Sequence, residues 1–201
     1  MELEALGWLL SLLFIGLVTP GPNNITCTIH SALHGRKSNI PLIGGMAIGF
    51  FIVHIICGFT VEYFSEQSTF SKILNYGGLL FIIILGLGVI ALGWSGKANK
   101  MPESLPQIGM KGGILMQFVN GKEWFMVFTV MATVLDGFGG GLIGILSIAS
   151  ITVTGGLSAM IGWTFFGSSI QHKLTNPSFT KVVFTTLGGL LIILGLILSL
   201  K

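Results

Sequence analysis

The sequence predicts an all-α integral membrane protein of six transmembrane helices, laid out as two inverted three-helix repeats with helices 1 and 4 broken. Three observations carry this. Only 8% of the 201 residues are charged and 52% are hydrophobic. An average soluble domain carries roughly 25% charged residues, so this chain lacks the groups to cover a water-facing surface. Stretches free of Asp, Glu, Lys and Arg recur at 5–35, 38–61, 73–96, 137–171 and 182–200, and a sixth apolar segment, 112–135, is interrupted by Lys122 and Glu123. The basic residues between these stretches alternate in a one-sided pattern.

A bilayer core of about 30 Å takes roughly 20 helical residues at 1.5 Å each. The spans are accordingly read at about 4–33, 40–62, 72–94, 112–135, 142–169 and 179–200. Runs this long and rich in glycine do not alternate at period two, which makes a membrane β-barrel a poor fit. The 30 glycines suit closely apposed membrane helices, and Gly45 with Gly49, and Gly140 with Gly144, offer small-residue faces for contact. Glu2 and Glu4 stand where a signal peptide would carry basic residues, so a cleaved leader is not expected.

Span 1 contains Thr19, Pro20, Gly21, Pro22, Asn23 and Asn24. Two prolines remove two backbone donors and clash with the preceding turn, so carbonyls near Gly16 and Val18 should lose their intrahelical partners. In hydrocarbon such groups need protein, water or substrate. Asn23 and Asn24 are expected to cap the restarted helix, whose first N–H groups suit a carboxylate. A kink that only fits neighbouring helices is the plainer alternative. Span 2 carries His54 among Ile and Phe, a packed side chain or a proton relay. Cys27 and Cys57 lie in apolar stretches without CxxC spacing and read as packing residues. His30 and His34 lack a carboxylate or cysteine at ligand spacing, so no metal is expected.

Span 3 ends at a segment with Pro102 and Pro106, the one real linker, which divides the chain into repeats of about 1–97 and 112–201 joined by 98–111. Span 4 holds Gln117, Asn120, Gly121, Lys122 and Glu123 near its centre. An ionised side chain there costs at least about 2.5–3.5 kcal/mol. Neighbouring residues point about 100° apart on a helix, so Lys122 and Glu123 each need a partner of their own, unless both snorkel to the interface. Spans 5 and 6 close the second half, where Gly188-Gly189-Leu190-Leu191 repeats Gly77-Gly78-Leu79-Leu80. Three spans per half force the second half into the opposite orientation, a plan common among transporters.

Arg36, Lys37, Lys97, Lys100, Lys111, Lys173 and Lys181 fall on one side of the predicted spans; Lys72 and Lys201 fall on the other with Glu2, Glu4, Glu62, Glu66 and Asp136. The positive-inside rule then places both termini outside a bacterial or archaeal cytoplasmic membrane. Trp8, Tyr63 and Trp94 sit where an aromatic belt would. Charge runs for nucleic acid, a phosphate loop and the common hydrolase motifs are absent from the sequence, so an enzyme is not expected, and ion coupling is favoured over ATP hydrolysis.

At its two breaks the chain resembles the LysE/RhtB amino-acid-exporter family, over essentially its whole length. The resemblance rests on Thr19-Pro20-Gly21-Pro22-Asn23-Asn24, His34-Gly35-Arg36 with Gly44, Gly45 and Gly49, and Gln117-Phe118-Val119-Asn120 with Lys122. Gly121 stands where many members have proline, and Glu123 where an apolar or small residue is usual. The closest-looking branch is that of cysteine/O-acetylserine exporters. The resemblance implies a proton-coupled secondary exporter of small neutral amino acids, without cofactor or metal, with a homo-oligomer left open. The expected substrate-binding residues are Thr19, Pro20, Gly21, Pro22, Asn23, Asn24, Asn120, Lys122 and Glu123. A membrane thiol–disulfide electron carrier, a metal-ion exporter of related architecture and a non-transporting scaffold are the competing readings.

Overall fold

The computed structural model describes residues 2–18, 21–64, 68–96, 106–174 and 176–199. Thr19, Pro20, Glu66, Lys97, Lys100, Pro102 and Lys201 lie outside these. Eight α-helices occur among the described residues: α1 Leu3–Val18, α2 Pro22–His34, α3 Asn39–Phe64, α4 Ser68–Trp94, α5 Met110–Val119, α6 Gly121–Val134, α7 Gly141–Leu174 and α8 Pro177–Ser199. Short 3-10 turns at Arg36–Ser38 and Asp136–Phe138 lead into α3 and α7.

Arg36–Phe64 and Gly141–Phe165 are long and apolar enough to cross a membrane, and Leu3–Leu17 with Pro22–Ser31 are so as a pair bent by 46°. α4 and α8 have 27 and 23 residues, about 40 and 35 Å of helix. The outward surface is apolar: Phe14, Ile40, Leu115, Ile143 and Val182 are each at least 65% exposed. An exterior of this kind suits lipid rather than water.

Glycines set the helix contacts. A Cβ on Gly45 would run into the backbone of Met110, and one on Gly49 would come 2.8 Å from the carbonyl oxygen of Ile114, so α3 and α5 meet backbone to backbone as the sequence predicts. Gly86 and Gly188 oppose each other in the same way, and Gly93 faces Phe184, which makes α4 and α8 antiparallel neighbours. The Gly140/Gly144 pair departs from expectation. Gly140 has φ +62 in the turn before α7, and Gly144 packs on Leu135 and Phe138 of the preceding segment. A left-handed turn needed the first glycine, leaving no small-residue face there.

Charge separates by end. At one end the Glu2 amide donates to the Gly137 carbonyl (2.8 Å) in the turn that Asp136 begins, and the Gly141 amide donates to the Glu62 carboxylate (2.9 Å). At the other, Arg36 lies 5.1 Å from the Phe165 ring centre, near Lys37; Lys111 follows Met110, which touches Gly45 of early α3. Lys181, past the end of α7, sits 4.8 Å over Trp94. The core toward the acidic end is a block of Leu9, Leu12, Val53, Cys57, Val130, Met131, Val134, Ile145 and Ile148; Cys27, Leu42, Met46 and Met160 form a second cluster toward the basic end.

Candidate functional site

The two helix breaks meet. α2 restarts at Pro22, whose fixed φ and missing N–H suit the first helical position, and Gly21 precedes it in extended conformation, φ −133 and ψ 175. Gly21 is the cap residue, and no side chain caps α2. The expected capping by Asn23 and Asn24 is therefore corrected: both amides are drawn to longer-range partners instead. Asn24 reaches back to donate to the Leu17 carbonyl at 3.0 Å, and the Gly16 carbonyl accepts from the Lys122 ammonium at 2.9 Å. Carbonyls at the end of α1 thus find side-chain donors, as an open helix end requires.

The second break needs no proline. Asn120 leaves helical geometry (φ −84, ψ 86), and its carbonyl accepts the Glu123 and Trp124 amides at 3.0 and 3.3 Å, which starts α6. A Cβ on Gly121 would meet open space, so the position does not depend on glycine's small size.

Asn23 joins the breaks. Its amide nitrogen donates to Gln117 (3.0 Å) and to the Glu123 carboxylate (3.3 Å), and its oxygen accepts from Gln117 (3.0 Å) and Asn120 (3.1 Å). That is the full capacity of an Asn side chain, two donors and two lone pairs. Asn23, Gln117 and Asn120 are all buried, and the Asn120 side-chain oxygen, Oδ1, is a buried acceptor with no hydrogen-bond partner among the described residues. Buried polar groups are nearly always partnered, so this oxygen marks a place for an additional donor.

Beside this junction lies a small, partly open cavity of about 50 Å³. Gly21, Asn23, Asn24, Lys122 and Glu123 line it, as do Leu13, Gly16 and Leu17 of α1, Phe50 and His54 of α3, and Thr152, Gly156 and Met160 of α7. Of the sequence-predicted residues, Asn120 touches the junction through Asn23, Pro22 starts α2, and Thr19 and Pro20 lie outside the described residues. Gly21 is close-fitting: a Cβ there would fall 2.8 Å from the Lys122 ammonium nitrogen. His54 is buried, bonded to the Phe50 carbonyl (2.8 Å) and the Thr152 hydroxyl (2.6 Å). Gln117 stood in the second motif, but sequence reasoning gave it no binding role; Thr152 and Met160 carried no signal in the sequence. Within one small space the cavity offers the amine of Lys122, the carboxyl group of Glu123 and several amides, a set with partners for both ends of an amino acid.

The LysE type translocator family model matches residues 14–201. The chain is 26% identical to a cysteine/O-acetylserine efflux protein of Klebsiella pneumoniae subsp. pneumoniae, over 159 residues and 79% of each chain. It is 28% identical over 120 residues to proteins of the same description from Salmonella choleraesuis and Salmonella typhimurium, covering 59% of this chain and 60% of theirs. No solved structure matches.

Proposed function

The chain belongs to the LysE type translocator family, a family of transporters and not enzymes, and from that premise we propose that it exports small neutral amino acids or related metabolites by exchange for protons. Cysteine and O-acetylserine head the candidates, because the similar efflux proteins carry those names. The observation that carries the reading is the junction itself: Asn23 of one break holds Gln117, Asn120 and Glu123 of the other, while Lys122 reaches back to Gly16, all beside one cavity.

The substrate carboxylate meets the start of α2 after Pro22, where a helix terminus favours an anion, with Lys122 alongside. The substrate ammonium faces Glu123 and the carbonyls that end α1 near Thr19. Lys122 exchanges between its Gly16 carbonyl and the bound substrate, so loading releases one strut of the junction.

Six spans in two inverted halves, with both termini outside the cytoplasmic membrane, complete the proposal. It is supported by matching breaks in α1/α2 and α5/α6, by antiparallel α4 and α8, and by basic and acidic residues at opposite ends. A thiol–disulfide carrier fits less well, since Cys27 and Cys57 are buried in different core clusters. Uptake of a panel of labelled amino acids and O-acetylserine into proteoliposomes, with an imposed pH gradient, tests the function. Gradient-dependent flux of at least one is expected; none for any of them refutes an exporter.

A further inference from the structure

One column of polar side chains has no part in the junction. It runs along α2 from the cavity toward the basic end. Asn24 lines the cavity. Four and seven residues on, at about 1.5 Å per residue, Thr28 and Ser31 lie on the same stripe. The Thr28 hydroxyl is 3.3 Å from the Trp163 carbonyl of α7, and the Ser31 hydroxyl 3.3 Å from that of Thr164.

Asn39, the first residue of α3, closes the column. Its amide donates to the Cys27 carbonyl (2.7 Å) and to the Thr164 hydroxyl (2.8 Å), and its oxygen pairs with His30 Nδ1 at 2.6 Å. His30 Nε2 accepts the Ile108 amide at 2.9 Å, just ahead of α5. With that acceptor role fixed, Nδ1 carries the proton and donates to Asn39. Two fully buried side chains therefore hold α2, α3, α7 and the entrance to the second half together.

Toward the acidic end the cavity wall includes Val130, which packs in one larger apolar block with Leu9, Leu12, Met131, Val134 and Ile145. Parting that block would expose apolar surface, with nothing gained in return. Parting the polar side exchanges its hydrogen bonds for bonds to water or to a polar solute, a nearly even trade, and uncovers only the smaller apolar cluster of Cys27, Leu42, Ile43, Met46 and Met160. Polar side chains inside membrane spans mark the paths of polar solutes.

We infer that this column is the access route between the cavity and the basic, cytoplasmic end, and that the His30–Asn39–Thr164 network is its gate. The inference rests on the cavity being the transport site. Cys27 supplies a native reporter, since it is buried within the gate layer and its carbonyl is one of Asn39's partners.

The test uses the full chain with Cys57→Ser, in inside-out and right-side-out membrane vesicles, and a membrane-impermeant maleimide, with Cys27 modification followed by mass spectrometry. Labelling from the cytoplasmic face should quicken at least tenfold in Asn39→Ala and several-fold in the milder Thr164→Val. Labelling from the outer face should stay slow in both. Rates unchanged in both variants, or faster labelling from outside, overturn the gate. The outcome is separable from the exporter reading. Amino-acid flux in the parent with an ungated Cys27 removes only the route. Gated labelling with no flux for any amino acid removes the exporter and leaves a gated cavity.

Discussion

Asn23 spends all its side-chain hydrogen bonds on the second half of the chain, so its loss should be felt as stability as well as function. Asn23→Ala strands polar groups of Gln117, Asn120 and Glu123 in a buried place, and each unsatisfied group costs about 1–3 kcal/mol. Thermal unfolding of the detergent-solubilised protein should show a clear fall in midpoint. Gly21→Ala acts otherwise: its added methyl falls on the Lys122 ammonium, so it should depress transport severalfold while the unfolding midpoint moves little. An Ala variant transporting like the parent would free Lys122 from its assigned position. The prolines, paired asparagines and intramembrane Lys122 were legible in the sequence because each is expensive in hydrocarbon and demands a reason. The role of Gln117 and the closeness of His54 and Thr152 were not, since α3 and α7 reach the cavity only by packing. Local capping competes with other partners: Asn23 is taken by the second half of the chain and Asn24 by the end of α1, and neither choice is visible in the sequence.

At the scale of elements, the two breaks are made by different means. Span 1 is interrupted by residues that cannot continue a helix; span 4 is interrupted at Asn120, whose side chain is held by Asn23. Gly121 sits at the first position of α6 with free space around a would-be Cβ, where proline is well tolerated. Gly121→Pro should therefore fold normally and keep transport, with an unchanged or raised unfolding midpoint. A collapsed expression level would show that the break must retain glycine's freedom. Gly49→Leu is predicted to fail, because α3 and α5 leave no room between Gly49 and the Ile114 carbonyl; loss of folded protein on size-exclusion chromatography checks it. The break positions could be read from composition along the chain. The small-residue contacts could be read only in part, because the turn before α7 claimed Gly140 for its positive φ.

For the whole molecule, hydropathy and the spacing of basic residues were enough to anticipate a helical membrane protein, and the structure gathers Arg36, Lys37 and Lys181 away from Glu2, Glu62 and Asp136. Orientation is a proposal built on that separation: a reporter fused after Lys201 should be active outside the cytoplasm, and a cytoplasmic signal would reverse the topology. Proton exchange predicts that efflux from loaded vesicles quickens when the outer side is acidified and slows when a protonophore collapses the gradient. The central claim is that the junction of the two breaks binds the substrate. Its most direct test is equilibrium binding of O-acetyl-L-serine to the purified protein and to Lys122→Met, a change that removes the cation while keeping an unbranched side chain. Measurable binding by the parent and at least a roughly tenfold weaker Kd for a folded Lys122→Met, about 1.4 kcal/mol, is the predicted result; equal affinity in the two proteins would contradict it.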